Sequence, residues 1–269
     1  MAKIILITGC SSGMGLEAAL LLAGKGHKVY ATLHKLDSES TVQECAKKAG
    51  CGITCLELDV TKPATIKKAV DTIIKNDGKI DVLINNAGFG VAGAVETLTI
   101  EEFQKQFDVN YFGTLRCIQE VLPYMRKQKS GRIINVSSIA GIFGFSFMSA
   151  YVSTKFALEG MSETLQVELK SHGIDVKIVE PGPVATNFNK DMIKGTRKLN
   201  ENPYDKAIDK FFESIGGMLK DGQTSKDAAQ AYVDAVEDTA GQFRFQTSKD
   251  AEAIVAKKLK DPKGFSEMF

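Results

Sequence analysis

The chain has 269 residues, 43% of them hydrophobic and 25% charged, with 24 Gly and only 6 Pro; that is enough apolar material to bury a sizeable core in one large domain or two small ones. Disorder, collagen-like repeats and disulfide-dense secreted scaffolds are excluded. Lys plus Arg (34) exceed Asp plus Glu (33) by one, so no global field draws the chain to nucleic acid or an anionic membrane.

In chain order, apolar runs of strand length occupy 3–8, 28–33, 53–58, 80–85, 132–137 and 175–180. Amphipathic helical stretches lie between them at 14–25, 63–77, about 101–127 and 150–171. In the first helix Leu16, Ala19, Leu20 and Ala23 share a face, and Gly26 is placed to end it. Pro63 opens the second, where its missing N–H costs nothing, whereas Pro123 should kink or terminate the third. After Pro181-Gly182-Pro183 the pattern changes. Residues 186–225 mix Lys, Asn, Asp and Gly with Phe188, Met192, Phe211, Phe212, Ile215 and Met218, which reads as a mobile helical insertion. A helix at 225–238, a short strand at 242–246 and a helix at 250–259 follow, with Asp261-Pro262 as a stop. Strands alternating with helices, without a repeat or a Pro/Ser-rich linker, predict an α/β fold: a doubly wound parallel sheet, a Rossmann-type three-layer sandwich, in a single domain over 1–269.

The first strand runs into Gly9-Cys10-Ser11-Ser12-Gly13-Met14-Gly15 before a helix. Gly9 permits the sharp turn, Gly13 lets backbone approach a pyrophosphate, and Gly15 lets helix pack on strand, with the helix N-terminal dipole facing the anion. Taken alone, such a turn can also be an ordinary strand-to-helix loop. The second strand ends Thr32-Leu33-His34-Lys35, with no carboxylate before Asp37. An acid there would bind the ribose hydroxyls of NAD; its absence, with Ser12, Thr32, His34 and Lys35 to surround an extra phosphate, favours NADP over NAD.

The fifth strand ends in Ser137-Ser138, and thirteen residues later comes Tyr151, followed by Lys155. Tyr and Lys four apart share a helix face, and a neighbouring ammonium favours the phenolate of a group that ordinarily titrates near pH 10. Ser138, at the C-terminal edge of a parallel strand, can reach the same substrate oxygen. Singly, each has a blander reading: a solvated Tyr/Lys pair, a serine capping a turn, Asn110 satisfying a helix. Together with Thr8-Gly9-x3-Gly13-x-Gly15, Asp59-Val60, Asn85-Asn86-Ala87-Gly88 and Pro181-Gly182, in this order and spacing, they make the chain resemble the short-chain dehydrogenase/reductase family over nearly its whole length.

The resemblance implies that Tyr151 exchanges a proton with the substrate oxygen, Ser138 orients that oxygen, Lys155 lowers the tyrosine pKa and holds the nicotinamide ribose, and Asn110 supports a water relay. It further implies cofactor contacts from Gly9, Ser11, Ser12, Gly13, Met14 and Gly15 in the turn, and from Thr32 and His34. Asp59 would contact the adenine amino group, Asn85 and Gly88 would flank the adenosine ribose, Val184 and Thr186 would hold the carboxamide, and Val60, Ala87, Pro181 and Gly182 belong to the same cofactor-binding set.

Val29-Tyr30-Ala31-Thr32-Leu33, Arg244-Phe245-Gln246-Thr247-Ser248 and Lys260-Asp261-Pro262-Lys263-Gly264 are similar to the hydroxysteroid and retinol dehydrogenase branch, whose members mostly use NADP and act on bulky apolar alcohols or ketones. Phe143, Phe145, Phe147 and Met148, with apolar residues of the insertion, suit such a hydrophobic substrate; core or dimer contacts are the other reading of these aromatics. Alternatives are a 3-oxoacyl thioester reductase, and a dinucleotide-binding protein without turnover, whose mark would be a broken Ser/Tyr/Lys set. The family expectation is a homodimer formed through the two long helices. The five cysteines (Cys10, Cys45, Cys51, Cys55, Cys117) are odd in number and scattered, which suits reduced thiols and no metal. With no transmembrane-length run and no signal-peptide pattern near the start, a soluble cytoplasmic protein is expected.

Overall fold

The computed structural model describes residues 1–186, 188, 192–220 and 222–260; Asp261-Pro262 and the rest of the tail, and the side chain of Met218, lie outside the described residues.

Seven strands make one sheet: β1 (Ile4–Ile7), β2 (Lys28–Leu33), β3 (Ile53–Glu57), β4 (Val82–Asn85), β6 (Gly131–Val136), β7 (Ile174–Glu180) and β11 (Arg244–Gln246). The two-residue strand β5 (Val91–Ala92) lies outside it. The order is β11-β7-β6-β4-β1-β2-β3, and every pairing is parallel. The order reverses between β1 and β4, so the crevice at the carboxyl ends of those strands is where such a sheet receives a ligand. The doubly wound sandwich predicted from the sequence is therefore the observed fold.

Both faces are covered, which is why the central strands β1 and β4 are buried along their whole length rather than alternating. Ile5 and Ile7 of β1 pack with α1 (Gly13–Gly24), α2 (Glu39–Lys48) and α8 (Ser225–Glu237). Ile4 and Leu6 turn the other way, onto α3 (Pro63–Asp77), α5 (Gly113–Gln128) and α6 (Ser149–Leu169). Helices and strands meet at the far edge of the sheet in turns carrying Gly26, Gly50 and Gly78, around which there is open space.

Three features differ from the sequence reading. The stretch at 101–127 is not one helix: α4 (Ile100–Phe107) and α5 are joined by a π-helical turn, Asp108–Phe112. Pro123 neither ends nor replaces α5, which runs on to Gln128; the residue whose carbonyl it leaves unbonded, Gln119, is exposed and can be served by water. Phe143 and Phe145 pack with Ile139, Ala251 and Val255 beneath α9 (Lys249–Leu259), so they belong to a core rather than to the substrate side. The insertion is tied at both ends: β9 (Ile193–Lys194) pairs with β5, and β10 (Gln223–Thr224) pairs with β8 (Val184–Ala185). Between them runs α7 (Asp205–Lys220).

Candidate active site

The turn after β1 has the conformation its glycines permit. Gly9 has φ +72° and Gly13 φ +62°, the left-handed region that costs other residues about 1–2 kcal/mol. A Cβ on Gly9 would lie 2.8 Å from the Ala87 Cα, and one on Gly15 would overlap the Asn86 amide. Ser12, at the N-cap of α1, is extended and its side chain caps no N–H; the first N–H groups of the helix are thus left for an anion. Ser11 and Ser12 are exposed and Met14 is half-buried beside them. This cradle fits a dinucleotide pyrophosphate.

The turn is held from β4. Thr8 Oγ1 accepts the backbone N–H groups of Asn86 and Ala87, both at 3.0 Å. Asn86 Nδ2 donates to the carbonyls of Thr8 and Gly9, both at 2.9 Å, while its Oδ1 accepts from the buried Tyr232 hydroxyl at 2.7 Å. Neither Thr8, Asn86 nor Tyr232 was given a role from the sequence. Asn86 sits inside the quoted Asn-Asn-Ala-Gly run, and its being polar in a buried turn was the available signal.

Beyond the end of β3, Asp59 is buried beside three partners. Burial alone would raise its carboxyl, but the Thr61 hydroxyl and N–H, Lys62 and His34 hold it down to about 2. His34 Nε2 and Lys62 Nζ each lie 3.1 Å from Asp59 Oδ2. Both reach out to solvent, and Lys62 is one the sequence reading did not name. Thr32 departs from expectation: it is fully buried, and its hydroxyl donates to the Ile7 carbonyl at 3.0 Å, so it braces β1 instead of facing a phosphate. Val60 packs under the start of α5.

Asn85 is likewise turned inward. Its Nδ2 donates to Asn135 Oδ1 at 2.9 Å, and Asn135 Nδ2 donates to Ser162 Oγ at 2.9 Å. Ala87 borders the turn through its N–H, and Gly88 leaves room for Asn110, whose Oδ1 would be 3.3 Å from a Cβ there. Asn110, in the π-helical turn, is buried; its Oδ1 accepts from Phe89 N at 3.1 Å and its Nδ2 donates to Phe89 O at 3.0 Å. Gln106 does the same one step further on, accepting from Val91 N and donating to Phe89 O. The interrupted helix thereby fixes the loop that leaves β4, and π-turns of this kind are frequent at functional sites.

The Ser, Tyr and Lys predicted to act together lie on the turn that follows β6 and on α6, two segments that pack against each other. Ser138 follows β6; its Oγ accepts from Ala140 N at 3.1 Å and donates to the Pro181 carbonyl at 3.4 Å. Tyr151 and Lys155 are one turn apart on α6, with the Lys155 Nζ 5.5 Å from the phenol ring centre and donating to the Val136 carbonyl at 2.7 Å. Burial pushes the Tyr151 phenol up to about 12, against a lowering by Ser138. Burial brings the Lys155 amine down to about 8, against a raising by Glu159. At neutral pH the phenol is protonated and the amine still mostly charged, which is an acid backed by a cation. Phe188 lies edge-on to Tyr151 with ring centres 5.5 Å apart and covers Gly90, while Phe147 meets Tyr204 and Phe211 of the insertion.

The segment after β7 closes the crevice. The Pro181 carbonyl accepts from Ile139 N at 3.0 Å, Gly182 N donates to Thr247 Oγ1 at 3.2 Å, and Val184 is buried. Thr186 stands against Gly13, 3.6 Å from where a Cβ would be, so the segment after β7 and the glycine turn after β1 line one crevice.

A family model for short chain dehydrogenase matches residues 3–197. The chain belongs to the short-chain dehydrogenase family. Retinol dehydrogenase 8 of Homo sapiens is 34% identical over 279 residues, covering 97% of this chain and 86% of that one. The Homo sapiens 17-beta-hydroxysteroid dehydrogenase type 1 is 31% identical over 271 residues, covering 97% and 82%. Among solved structures, a short-chain dehydrogenase from Streptomyces avermitilis superposes with a TM-score of 0.82 at 31% identity, over 97% of this chain and 94% of that one. These relatives place the chain in the hydroxysteroid and retinol dehydrogenase branch, as an NAD(P)-dependent oxidoreductase acting on CH–OH groups. Among the described residues no helix is long and apolar enough to cross a membrane, and no three His, Cys, Asp or Glu side chains gather as a metal site.

Proposed function

We propose that this short-chain dehydrogenase is NADP-dependent and interconverts an alcohol and its carbonyl on a hydrophobic substrate of steroid, retinoid or lipid-like type, through Ser138, Tyr151 and Lys155. The observation that carries the reading is the placement of Tyr151 and Lys155 one turn apart on α6, with the Lys155 amine 5.5 Å from the phenol ring centre and α6 packed against the turn that Ser138 opens at the carboxyl end of β6. The nicotinamide supplies the hydride. Tyr151, protonated as it stands, donates to the carbonyl oxygen during reduction; Ser138 donates a second hydrogen bond to that oxygen; the Lys155 ammonium stabilises the phenolate left behind. In oxidation the same groups run in reverse. Asn110, at the back of the site, would serve the proton relay behind Lys155.

NADP is favoured over NAD by His34 and Lys62 beside Asp59 and by the exposed Ser12. The apolar walls are Phe188, Met192 and Phe147, backed by α7, so the insertion at 186–225 is the substrate cover. The 1–269 chain then works as one domain carrying both cofactor and substrate sites. A homodimer through the long helices fits the exposed Phe112, Phe156 and Val167; light scattering should give twice the chain mass, and a monomer at micromolar concentration would contradict it. Buried free thiols at Cys10 and Cys117 suit a reducing, cytoplasmic compartment.

The test is absorbance at 340 nm with NADPH and a panel of ketosteroids, retinal and aliphatic ketones. Tyr151→Phe should lower turnover by about 100- to 10,000-fold while binding NADPH as before. Equal turnover in wild type and variant on every substrate would overturn the assignment.

A further inference from the structure

The glycine turn after β1 is gripped by a residue that hydride transfer does not call for. Tyr232, on α8, is fully buried, and its hydroxyl donates to Asn86 Oδ1 at 2.7 Å across 146 positions of sequence. The nitrogen end of the same amide is committed to the turn, with Asn86 Nδ2 donating to the Thr8 and Gly9 carbonyls at 2.9 Å each. On the other side of the peptide joining Gly9 to Cys10, the Cys10 N–H donates to the Thr32 carbonyl at 2.9 Å. That peptide is therefore held at its oxygen by Asn86 and at its nitrogen by β2, directly after the residue with φ +72°. The Asn86 amide also fills the space that a side chain at Gly15 would take, so the turn and the first turn of α1 are wrapped around it. A buried amide oxygen left without a donor is costly, and Tyr232 supplies that donor.

We infer that Tyr232 is a positioning residue for the dinucleotide: through the Asn86 amide its hydroxyl sets the Gly9–Cys10 peptide and so keeps the phosphate-binding turn formed before the cofactor arrives. The inference rests on the reading of that turn as the pyrophosphate cradle. Its own side chains do not shape it, since Ser12 caps no N–H of α1 and both Ser11 and Ser12 are exposed; the shape is imposed from β2, β4 and α8. A preformed cradle spares the ordering cost of binding. A turn competent only about a tenth to a third of the time would bind about three- to tenfold more weakly. Tyr30 provides the comparison. It too is buried, but with the core on the opposite face of the sheet, and its hydroxyl donates to Asp77 Oδ2 at 2.5 Å. Removing that hydroxyl weakens the fold without touching the turn.

The experiment needs no substrate. Titration calorimetry with NADPH and with NADH is run on wild type, Tyr232→Phe and Tyr30→Phe, and the melting temperature of each is recorded. Tyr232→Phe should bind both nucleotides about three- to tenfold more weakly and by the same factor, because the pyrophosphate is common to the two. Tyr30→Phe should melt below wild type through its lost hydrogen bond, yet bind both nucleotides within about twofold of it. In the cofactor-free protein, the Cys10 amide of Tyr232→Phe should exchange with deuterium at least about tenfold faster than that of wild type or Tyr30→Phe. Should Tyr232→Phe not melt cooperatively, Tyr232→Met takes its place with the same expected losses. Wild-type affinity in Tyr232→Phe, a loss confined to one nucleotide, or an equal loss in Tyr30→Phe would overturn the inference. The cradle reading is judged separately, by Gly13→Ala: if that variant binds NADPH as wild type does, the cradle reading fails, whereas a loss there with none in Tyr232→Phe removes only the role of Tyr232.

Discussion

Gly9 and Gly13 sit in the same turn, both with positive φ, yet substitution by alanine should affect them through different physics. At Gly13 a Cβ meets only the Thr186 methyl and Cβ, at 3.6 and 3.7 Å, an ordinary contact. The cost to the free protein is then the left-handed backbone alone, about 1–2 kcal/mol. At Gly9 the same backbone cost applies, and the Cβ also lies 2.8 Å from the Ala87 backbone, in a segment pinned by Thr8 and Asn86. Overpacking against such a segment adds about 1–3 kcal/mol. For a chain of this size about 2 °C of melting temperature is lost per kcal/mol. Gly13→Ala should therefore melt about 2–4 °C below wild type, and Gly9→Ala about 4–10 °C below, by differential scanning calorimetry without cofactor. Affinity should discriminate in another way. The Gly13 Cβ projects into the crevice between the turn and Thr186, so Gly13→Ala should lose at least about tenfold in NADPH affinity although it is the milder change for the fold. The reasoning would be refuted by a Gly13→Ala protein that melts below Gly9→Ala, or that binds NADPH as tightly as wild type.

Two further outcomes concern the part of the crevice where Asp59 and His34 meet. Asp59 titrates near 2 in the folded protein against 3.8 for the free group; its stabilisation is present above pH 3.8 and lost as pH falls toward 2. Because the carboxylate is partly screened, Asp59→Asn should cost about 1–2 kcal/mol at pH 7, and urea unfolding at pH 7 and pH 3 should show that gap narrowing; a gap that widens toward pH 3 would contradict it. His34→Ala should weaken NADPH binding about tenfold, the worth of one hydrogen bond to a charged group, and leave NADH within about twofold. Titration calorimetry with both nucleotides checks this, and an equal loss for both would remove His34 from the discrimination.

Much of the molecule could be read before folding, and the exceptions have physical causes. The six main strands were legible because both faces of the sheet are covered, so each is a short continuous apolar run. Helix α2 was not, because only Val42 and Ala46 of its residues are buried; two contacts four apart are too faint an apolar stripe to stand out. The break at Asn110 was invisible because a π-turn inserts one residue without a change in composition. At the candidate site, the four-residue spacing of Tyr151 and Lys155 predicts a shared helix face, and both lie one turn apart on α6. Thr32 misled because a hydroxyl at a strand end reads equally as a ligand or as a brace, and burial decides between them. Phe143 and Phe145 misled because nearness in sequence to Tyr151 is not nearness in space: the chain turns them under α9, and the apolar cover of Tyr151 comes from Phe188, almost forty residues later.

The arrangement of the sheet also separates the molecule into a working end and an idle one. Every group assigned to cofactor or substrate lies at the carboxyl edges of the strands, whereas the turns at Gly26, Gly50 and Gly78 lie at the opposite edge with nothing packed over them. A fluorophore, an affinity handle or a tether to a solid support placed in those turns would be separated from the chemistry by the thickness of the core. An immobilised form of this dehydrogenase attached there would present its crevice to the solution, with both the nucleotide and the carbonyl free to enter.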